Sequence, residues 1–521
     1  LKRKVDALDE ARGQSILETR SDKLLPGLTL ALIGLLYLLT FPQNFTEGED
    51  AVYYVDRVSG GVAQWHPNHL IYEPLMQGLT RAAQAVWPGA SALAVMQVAS
   101  LVAALWALAL VWKIARLAGG GLSGASGAVW LMGGCFAFWL YGMYPDTYTL
   151  PLPFVLASFL ALWQVGWEQS GPRAVILAAF LAGIATLIHQ SHVFLAVTAL
   201  IVLISARRIG AAVLWLAVFG AVVGAFYLWA GWVLLGHRSM PELILWAKGY
   251  AADGLWTPLS VLAPVKALIG LGTAIWSSLF LFASPDAASA LERVFAGRQL
   301  VEETHFAATG LALGFWPLLL LTIVSVLAIG TLSVRALLRK GRALTPGFGP
   351  LLVLHAGTYA LVATIWEPTN KEFWIVVLPF LALLVVLRLP PVRGVQRVLA
   401  AGILALWVAN GAGAMMGFAR ADSDYWRVTH AALLLEVRPG DVVVDDCGYI
   451  CTGYLLLFSP AELLPADALD RAADTGPGRI LLTSRAIAAL DAEPGDSWAS
   501  QRALLQPVFS TEALSLSELP R

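Results

Sequence analysis

The chain has 521 residues, of which 58% are hydrophobic and 13% charged, with a mean hydropathy of +0.70 and a formal net charge of −1. A soluble domain carries roughly 25% charged residues, so the composition points to a polytopic membrane protein and away from a water-soluble one. The near-zero charge leaves no basic footprint for nucleic acid, and three cysteines exclude a disulfide framework.

Residues 1–23 form a polar, mixed-charge segment unlike the short basic start of a cleaved signal peptide, so the first span is expected to be a retained anchor and this segment cytoplasmic. A helix needs about 20 apolar residues to cross a bilayer. Spans are predicted near 24–41, 91–112, 123–143, 148–166, 174–188, 192–206, 210–235, 308–334, 349–366, 373–389 and 396–417, about eleven in all. Basic residues cluster at Lys2–Lys4, Lys113/Arg116, Arg173, Arg207/Arg208, Arg335–Arg342 and Arg388–Arg397. All fall on the cytoplasmic side if the apolar run 262–284 does not cross. That run is therefore expected to be re-entrant or interfacial, within a segment 237–306.

The expected organisation is an all-α transmembrane domain over 24–417, with an extracytoplasmic loop at 42–90, followed by a small extracytoplasmic α/β module at 418–521. In the loop, Ile71, Leu75, Leu79, Ala82 and Val86 recur at helical spacing opposite Glu73, Gln77, Arg81 and Gln84. With Pro74 near its start, this predicts an amphipathic helix on the outer interface. In the module, strands are expected at Val442–Val444 and Ile480–Leu482, and helices at 461–473 and 485–492.

This topology gathers the chemistry on one face. Glu47, Glu49, Asp50, Asp56 and Arg57 follow the first span, then His66-Pro67-Asn68-His69. Ionisable groups at a membrane are costly and mark function. Asp50 can serve as a general base or a metal ligand. Asp146, in the turn Tyr144–Thr149, reads as a second acid or as a helix N-cap. His189 and His192 join two short spans; with His66 and His69 they could bind a divalent metal or hydrogen-bond a phosphate. In Trp366–Trp374, Lys371 could reach a lipid phosphate and Glu367 or Asn370 could orient a sugar; the alternative is a plain interfacial loop. Cys447 and Cys451, four apart, come within about 6 Å on a helix, inside disulfide reach; two free thiols are the alternative.

The order of these motifs resembles the GT-C superfamily of membrane glycosyltransferases, and within it the bacterial relatives of protein O-mannosyltransferases. The pieces are Glu49-Asp50, His66–Tyr72, Asp146–Leu150, His189–His192 and Glu367–Trp374, over about residues 24–417. The resemblance implies a polyprenyl-phosphate-linked sugar donor and transfer on the outer face of the inner membrane to a glycan, protein or lipid. It implies a base at Asp50, with Glu49 beside it, and a second acid at Asp146. Where many relatives read Gly-Asp-Ser-Gly-Glu, this chain has Gly48-Glu49-Asp50-Ala51-Val52. Candidate donor-binding residues are Arg57, His66, His69, Tyr148, His189, His192, Lys248, Glu367, Asn370 and Lys371. No cofactor is required by this reading, although a divalent metal is compatible with it. Two competing readings are a transporter or flippase for a lipid-linked saccharide and an inactive assembly subunit of the same fold. A transporter predicts polar residues midway through spans and an internal repeat, and the sequence shows neither.

Overall fold

The structure is a computed structural model that describes residues 20–168, 170–252, 260–294, 300–338, 344–472, 475, 477–492, 498–511 and 514–520, apart from the side chains of residues 20–23, 49 and 294. The basic clusters at Lys2–Lys4 and Arg339–Arg342 lie outside the described residues.

Among the described residues, five helices are long and apolar enough to cross a membrane: Ala92–Leu117, Ile209–Leu234, Phe315–Leu338, Phe348–Trp366 and Arg393–Phe418. Length and composition thus support five of the eleven expected spans. Others are shorter, among them Leu152–Trp167 and Pro172–Ile188 at 16 and 17 residues. At 1.5 Å per residue these run about 25 Å, less than a hydrocarbon core of about 30 Å. The run expected at 123–143 breaks into Leu122–Gly133 and Phe136–Tyr141. Gly134, at the break, lies so close to the Trp407 indole that a Cβ would sit 2.6 Å from its nitrogen. The segment at 262–284 forms the helix Ala263–Ile275, whose 13 residues are also short for a crossing. Its Gly270 packs against the Pro368 carbonyl.

One buried apolar core runs from Ile33 to Phe418. Behind it in sequence, five strands form one sheet in the order β2-β1-β3-β5-β4: β1 (Val442–Val444), β2 (Glu462–Leu464), β3 (Ile480–Thr483), β4 (Gln506–Ser510) and β5 (Ser515–Leu519). The first three are parallel and the last two antiparallel. Val442, Val444, Ile480 and Leu482 face one apolar cluster, while Val443 and Leu481 face another, so this sheet is covered on both sides. The expected helix at 461–473 begins instead as β2, between Pro460 and Pro465, because its backbone pairs with β1. The expected helix at 485–492 forms as Ser484–Ala492.

The sheet module docks on the first loop. Its helix Tyr449–Phe458 meets the helix Glu49–Ser59, where Gly453 approaches Val52 and Tyr53 so closely that a Cβ would lie 2.8 and 2.7 Å from them. Tyr53 and Tyr449 stack with ring centroids 4.3 Å apart. Asn44 and Phe45 bond Ser423 and Asp424. The expected amphipathic helix forms at Tyr72–Val86, with Leu75, Leu79 and Val86 exposed and Glu73, Met76 and Thr80 buried. Leu75, Leu79 and Val86 thus face outward, while the inward face packs Tyr72 and Met76 into an apolar cluster and carries the Glu73 half of an ion pair.

Candidate active site

That ion pair belongs to the acidic loop. The helix Glu49–Ser59 places Asp50, Tyr53, Tyr54 and Arg57 at i, i+3, i+4 and i+7, so they share a face. It starts at Gly48, where the Tyr144 ring leaves no room for a Cβ. Asp50 sits in the first turn, where the helix dipole favours a carboxylate. Its Oδ1 accepts from the Tyr449 hydroxyl at 2.9 Å, and Tyr54 Oη lies 3.5 Å from its Oδ2. The Glu49 side chain lies outside the described ones. Arg57 forks onto Glu73, with Nη2–Oε1 at 2.8 Å and Nε–Oε2 at 3.0 Å, and the Gln64 amide donates to the same carboxylate at 2.8 Å. The cation expected to meet a phosphate is thus already paired with a buried acid.

Two more loops bring acids to Asp50. Asp146 is only 2% exposed, and its Oδ1 accepts from the amide and hydroxyl of Thr147. It does not cap a helix: Leu152–Trp167 starts six residues on, with Pro151 at its N-cap and no side-chain cap. Glu372 accepts at Oε1 from Tyr141 at 2.6 Å and at Oε2 from Asn370 at 3.2 Å. Burial pushes the Glu372 carboxyl up to about 7, while hydrogen bonds from Tyr141 and Tyr148 and the charge of Lys371 pull the other way and Asp50 adds to the rise. Burial, then Glu372, then Asp50 hold Asp146 well above the usual carboxylate range. The three acids therefore feel one another's charge. Lys371 pairs with Glu47. Asn370 caps the turn Lys371–Trp374, and the exposed Glu367 accepts from it at 3.3 Å. Glu372 lies within the motif Glu367–Trp374, where nothing in the local sequence distinguishes it from Glu367.

The Glu372 shift makes a stability prediction. Between an ordinary 4.5 and about 7, the unfolded chain has lost this proton while the folded chain keeps it, so stability falls as pH rises through that window. The shift corresponds to roughly 3 kcal/mol. Glu372→Gln should therefore gain apparent thermal stability over the parent in detergent at about pH 7.5 relative to about pH 5. An equal difference at both pH values would contradict this environment for Glu372.

The histidines form two pairs. His66 and His69 stack at 4.7 Å, and Tyr250 lies over His66 at 4.8 Å. The His66 Nδ1 accepts from the Asn68 amide at 3.3 Å, and the Tyr250 amide donates to Asn68 at 3.3 Å. His189 Nδ1 receives the Ser191 amide at 3.3 Å and lies 2.7 Å from its hydroxyl, while His192 Nδ1 meets the Tyr359 hydroxyl at 2.9 Å. Burial lowers His189 to about 4. Burial, then His66, His189 and Arg57, lower His69 well below its ordinary value. Both are neutral at pH 7. Among the described residues, none of these four belongs to a group of three or more His, Cys, Asp or Glu ligand atoms close enough to hold one ion. The metal reading of the quartet gains no support from the geometry, because three of the four Nδ1 atoms already serve local bonds. Tyr148, His189, His192 and Glu372 do converge, lining one pocket with Tyr359 and Phe373. Lys248 is exposed, just before Gly249 and Tyr250. Two buried polar atoms near the acids, His69 Nδ1 and Tyr72 Oη, have no partner among the described residues. Such atoms call for a bound group or water.

No protein-family model and no curated protein matches the sequence. Solved structures do match. ArnT from Cupriavidus metallidurans, bound to undecaprenyl phosphate, aligns over 96% of this chain and 99% of its own, with a TM-score of 0.53 and 12% identity. Its apo state aligns over 96% and 98%, with a TM-score of 0.52 and 12% identity. The fold is GT-C. The Archaeoglobus fulgidus oligosaccharyltransferase aligns over 94% of this chain and 73% of its own, at a TM-score of 0.47 and 12% identity. Within this fold, Asp146 and Glu372, from two separate loops, lie near enough to Asp50 to feel its charge, and Tyr449 is added from the C-terminal module. Tyr449 lies 399 residues from Asp50, and no sequence signal links the two.

Proposed function

We propose that the chain is a GT-C glycosyltransferase that moves a sugar from a polyprenyl-phosphate donor to an acceptor hydroxyl on the extracytoplasmic face of the inner membrane. The observation that carries this reading is the cluster of Asp50, Asp146 and Glu372, assembled from three loops of an apolar bundle. The shared fold with ArnT, which is bound to undecaprenyl phosphate, supports a lipid-linked donor. Asp50 takes the proton from the acceptor hydroxyl as its oxygen attacks the anomeric carbon, and the sugar–phosphate bond breaks to release polyprenyl phosphate. Arg57, Lys371 and Lys248 supply positive charge to the departing phosphate. For Arg57 and Lys371 this means sharing a cation with Glu73 or Glu47. His66 and Tyr148 offer hydrogen-bonding groups to the sugar and phosphate, and His69 and His189 do so as neutral imidazoles. Asp146 and Glu372, with raised pKa values, hold protons that can be donated to sugar hydroxyls.

The experiment is purified chain with a panel of radiolabelled polyprenyl-phosphate sugars, scoring donor binding and release of free polyprenyl phosphate separately. Release that depends on the chain is expected. Transfer of intact donor across a vesicle bilayer without release would favour a flippase instead. The orientation makes its own prediction: cysteines introduced at residues 20 and 500 should label from opposite sides of sealed vesicles. Labelling from one side would overturn the placement of the cluster outside.

A further inference from the structure

In the sheet module, Cys447 and Cys451 form the disulfide that their spacing allowed, across a Cα separation of 5.6 Å. Beside it, Arg485 Nη2 bridges His430 Nε2 at 2.6 Å and Asp445 Oδ2 at 2.8 Å, so the groups there already satisfy one another. The pocket lined by Tyr148, His189, His192, Tyr359 and Glu372 is different. Glu372 and Tyr148 stand by the acids, and the His189 ring lies 5.0 Å from that of Tyr148; all three are half-buried. His192 and Tyr359 are buried and lie 2.9 Å apart, Nδ1 to hydroxyl. The pocket thus reaches from the acids to a buried polar end.

Its polar groups are set for one kind of guest. The Ser191 backbone amide can only donate, and it donates to His189 Nδ1 at 3.3 Å, with the Ser191 hydroxyl 2.7 Å from the same nitrogen. In the neutral ring the proton therefore sits on Nε2. That N–H has no hydrogen-bond partner among the described residues. Glu372, which takes hydrogen bonds from Tyr141 and Tyr148, offers carboxyl oxygens to the same pocket. A guest that accepts from an N–H and donates to an oxygen suits this pair, and a hydroxyl does both. An ammonium has no lone pair for the imidazole N–H, and a carboxylate would face Glu372. The cavity volume of about 20 Å³ holds a water-sized group, which needs ~10–15 Å³, and excludes a whole sugar ring.

We propose that this pocket reads one hydroxyl of the donor sugar, with His189 Nε2–H donating to it and Glu372 accepting from it, and so selects among lipid-linked sugars. The inference rests on the lipid-linked donor of the glycosyltransferase reading and adds which residues choose the sugar. A donor lacking that hydroxyl leaves a pocket N–H and a carboxyl unpaired. A site built to bond a hydroxyl rejects the analogue without it far more strongly than an apolar pocket rejects a missing methylene. His192 and Tyr359, already bonded to each other, close the inner end and keep the guest to a single group.

The test is equilibrium binding of radiolabelled polyprenyl-phosphate glucose, mannose and galactose to the full chain in detergent, then of the monodeoxy analogues of whichever binds most tightly. At one ring position the deoxy analogue should bind at least ~10-fold more weakly, the cost of leaving a buried polar group unpaired. In His189→Phe, which keeps a ring against Tyr148, that difference should vanish while differences at other positions persist. His189→Gln, whose amide N–H can donate, should restore part of it. A merely structural role for His189 would lower the binding of every analogue alike. Release of polyprenyl phosphate, measured alongside, tests the reaction separately: discrimination without release would fail the transferase reading and leave the pocket standing. Parent chain that binds none of the three sugars, or all the deoxy analogues as well as the parent sugar because the pocket holds water only, would overturn the proposal. So would a His189→Phe chain that keeps the difference.

Discussion

Asp50→Asn should lower sugar transfer by roughly 10²–10⁴-fold, the contribution of a positioned general base, while donor binding stays near that of the parent. Asparagine keeps the size of the side chain and can still accept from Tyr449 and Tyr54, so the contact with the sheet module is preserved. What it removes is the capacity to take a proton. The phosphate contacts are assigned to other residues, which is why binding and turnover should separate. Tyr449→Phe is the companion measurement, because it removes the phenol from Asp50 and leaves the ring to stack on Tyr53. Wild-type turnover in Asp50→Asn would move the base to Glu49 or Asp146.

Arg57→Ala should destabilise the chain by about 3 kcal/mol, the lower end of the range for breaking a buried pair from one side. Glu73 is 0% exposed and would lose its bidentate partner, keeping only the Gln64 amide. Arg57 is 20% exposed, so solvent screens part of the loss. Replacing both residues by apolar side chains of similar volume should restore most of the stability, because no uncompensated charge remains. Apparent melting in detergent, compared across the parent, the single and the double variant, reads this directly. A single variant as stable as the parent would contradict this role for the Arg57–Glu73 pair.

The candidate site was legible to the extent that its charges stand out from apolar runs. Asp50, the His66–His69 turn and the Glu367–Trp374 loop are each visible because ionisable residues interrupt long hydrophobic stretches. Their pairings were not legible. Lys371 with Glu47 and Arg57 with Glu73 are set by how loops 324 and 16 residues apart fold together, and a helical period assigns Glu73 to the polar side without saying what covers it. In the module, Val442–Val444 and Ile480–Leu482 were readable as buried apolar runs. Glu462–Leu464, Gln506–Ser510 and Ser515–Leu519 were not, being short, partly exposed and defined by their partners. Length and composition leave the count of eleven spans unconfirmed for a related reason. Apolar composition marks where a run lies, but helix length depends on breaks at Gly134 and His189, where close packing and a polar turn end the helix.

The most direct test of the central claim is an electron cryomicroscopy map of the chain with added polyprenyl phosphate. The account predicts the phosphate between the helix Glu49–Ser59 and the turn Lys371–Trp374, within contact of Lys371 or Arg57 and near Asp50. A phosphate seated elsewhere, for example at the apolar groove lined by Leu36, Trp130, Trp407 and Met415, with the acid cluster empty, would contradict it.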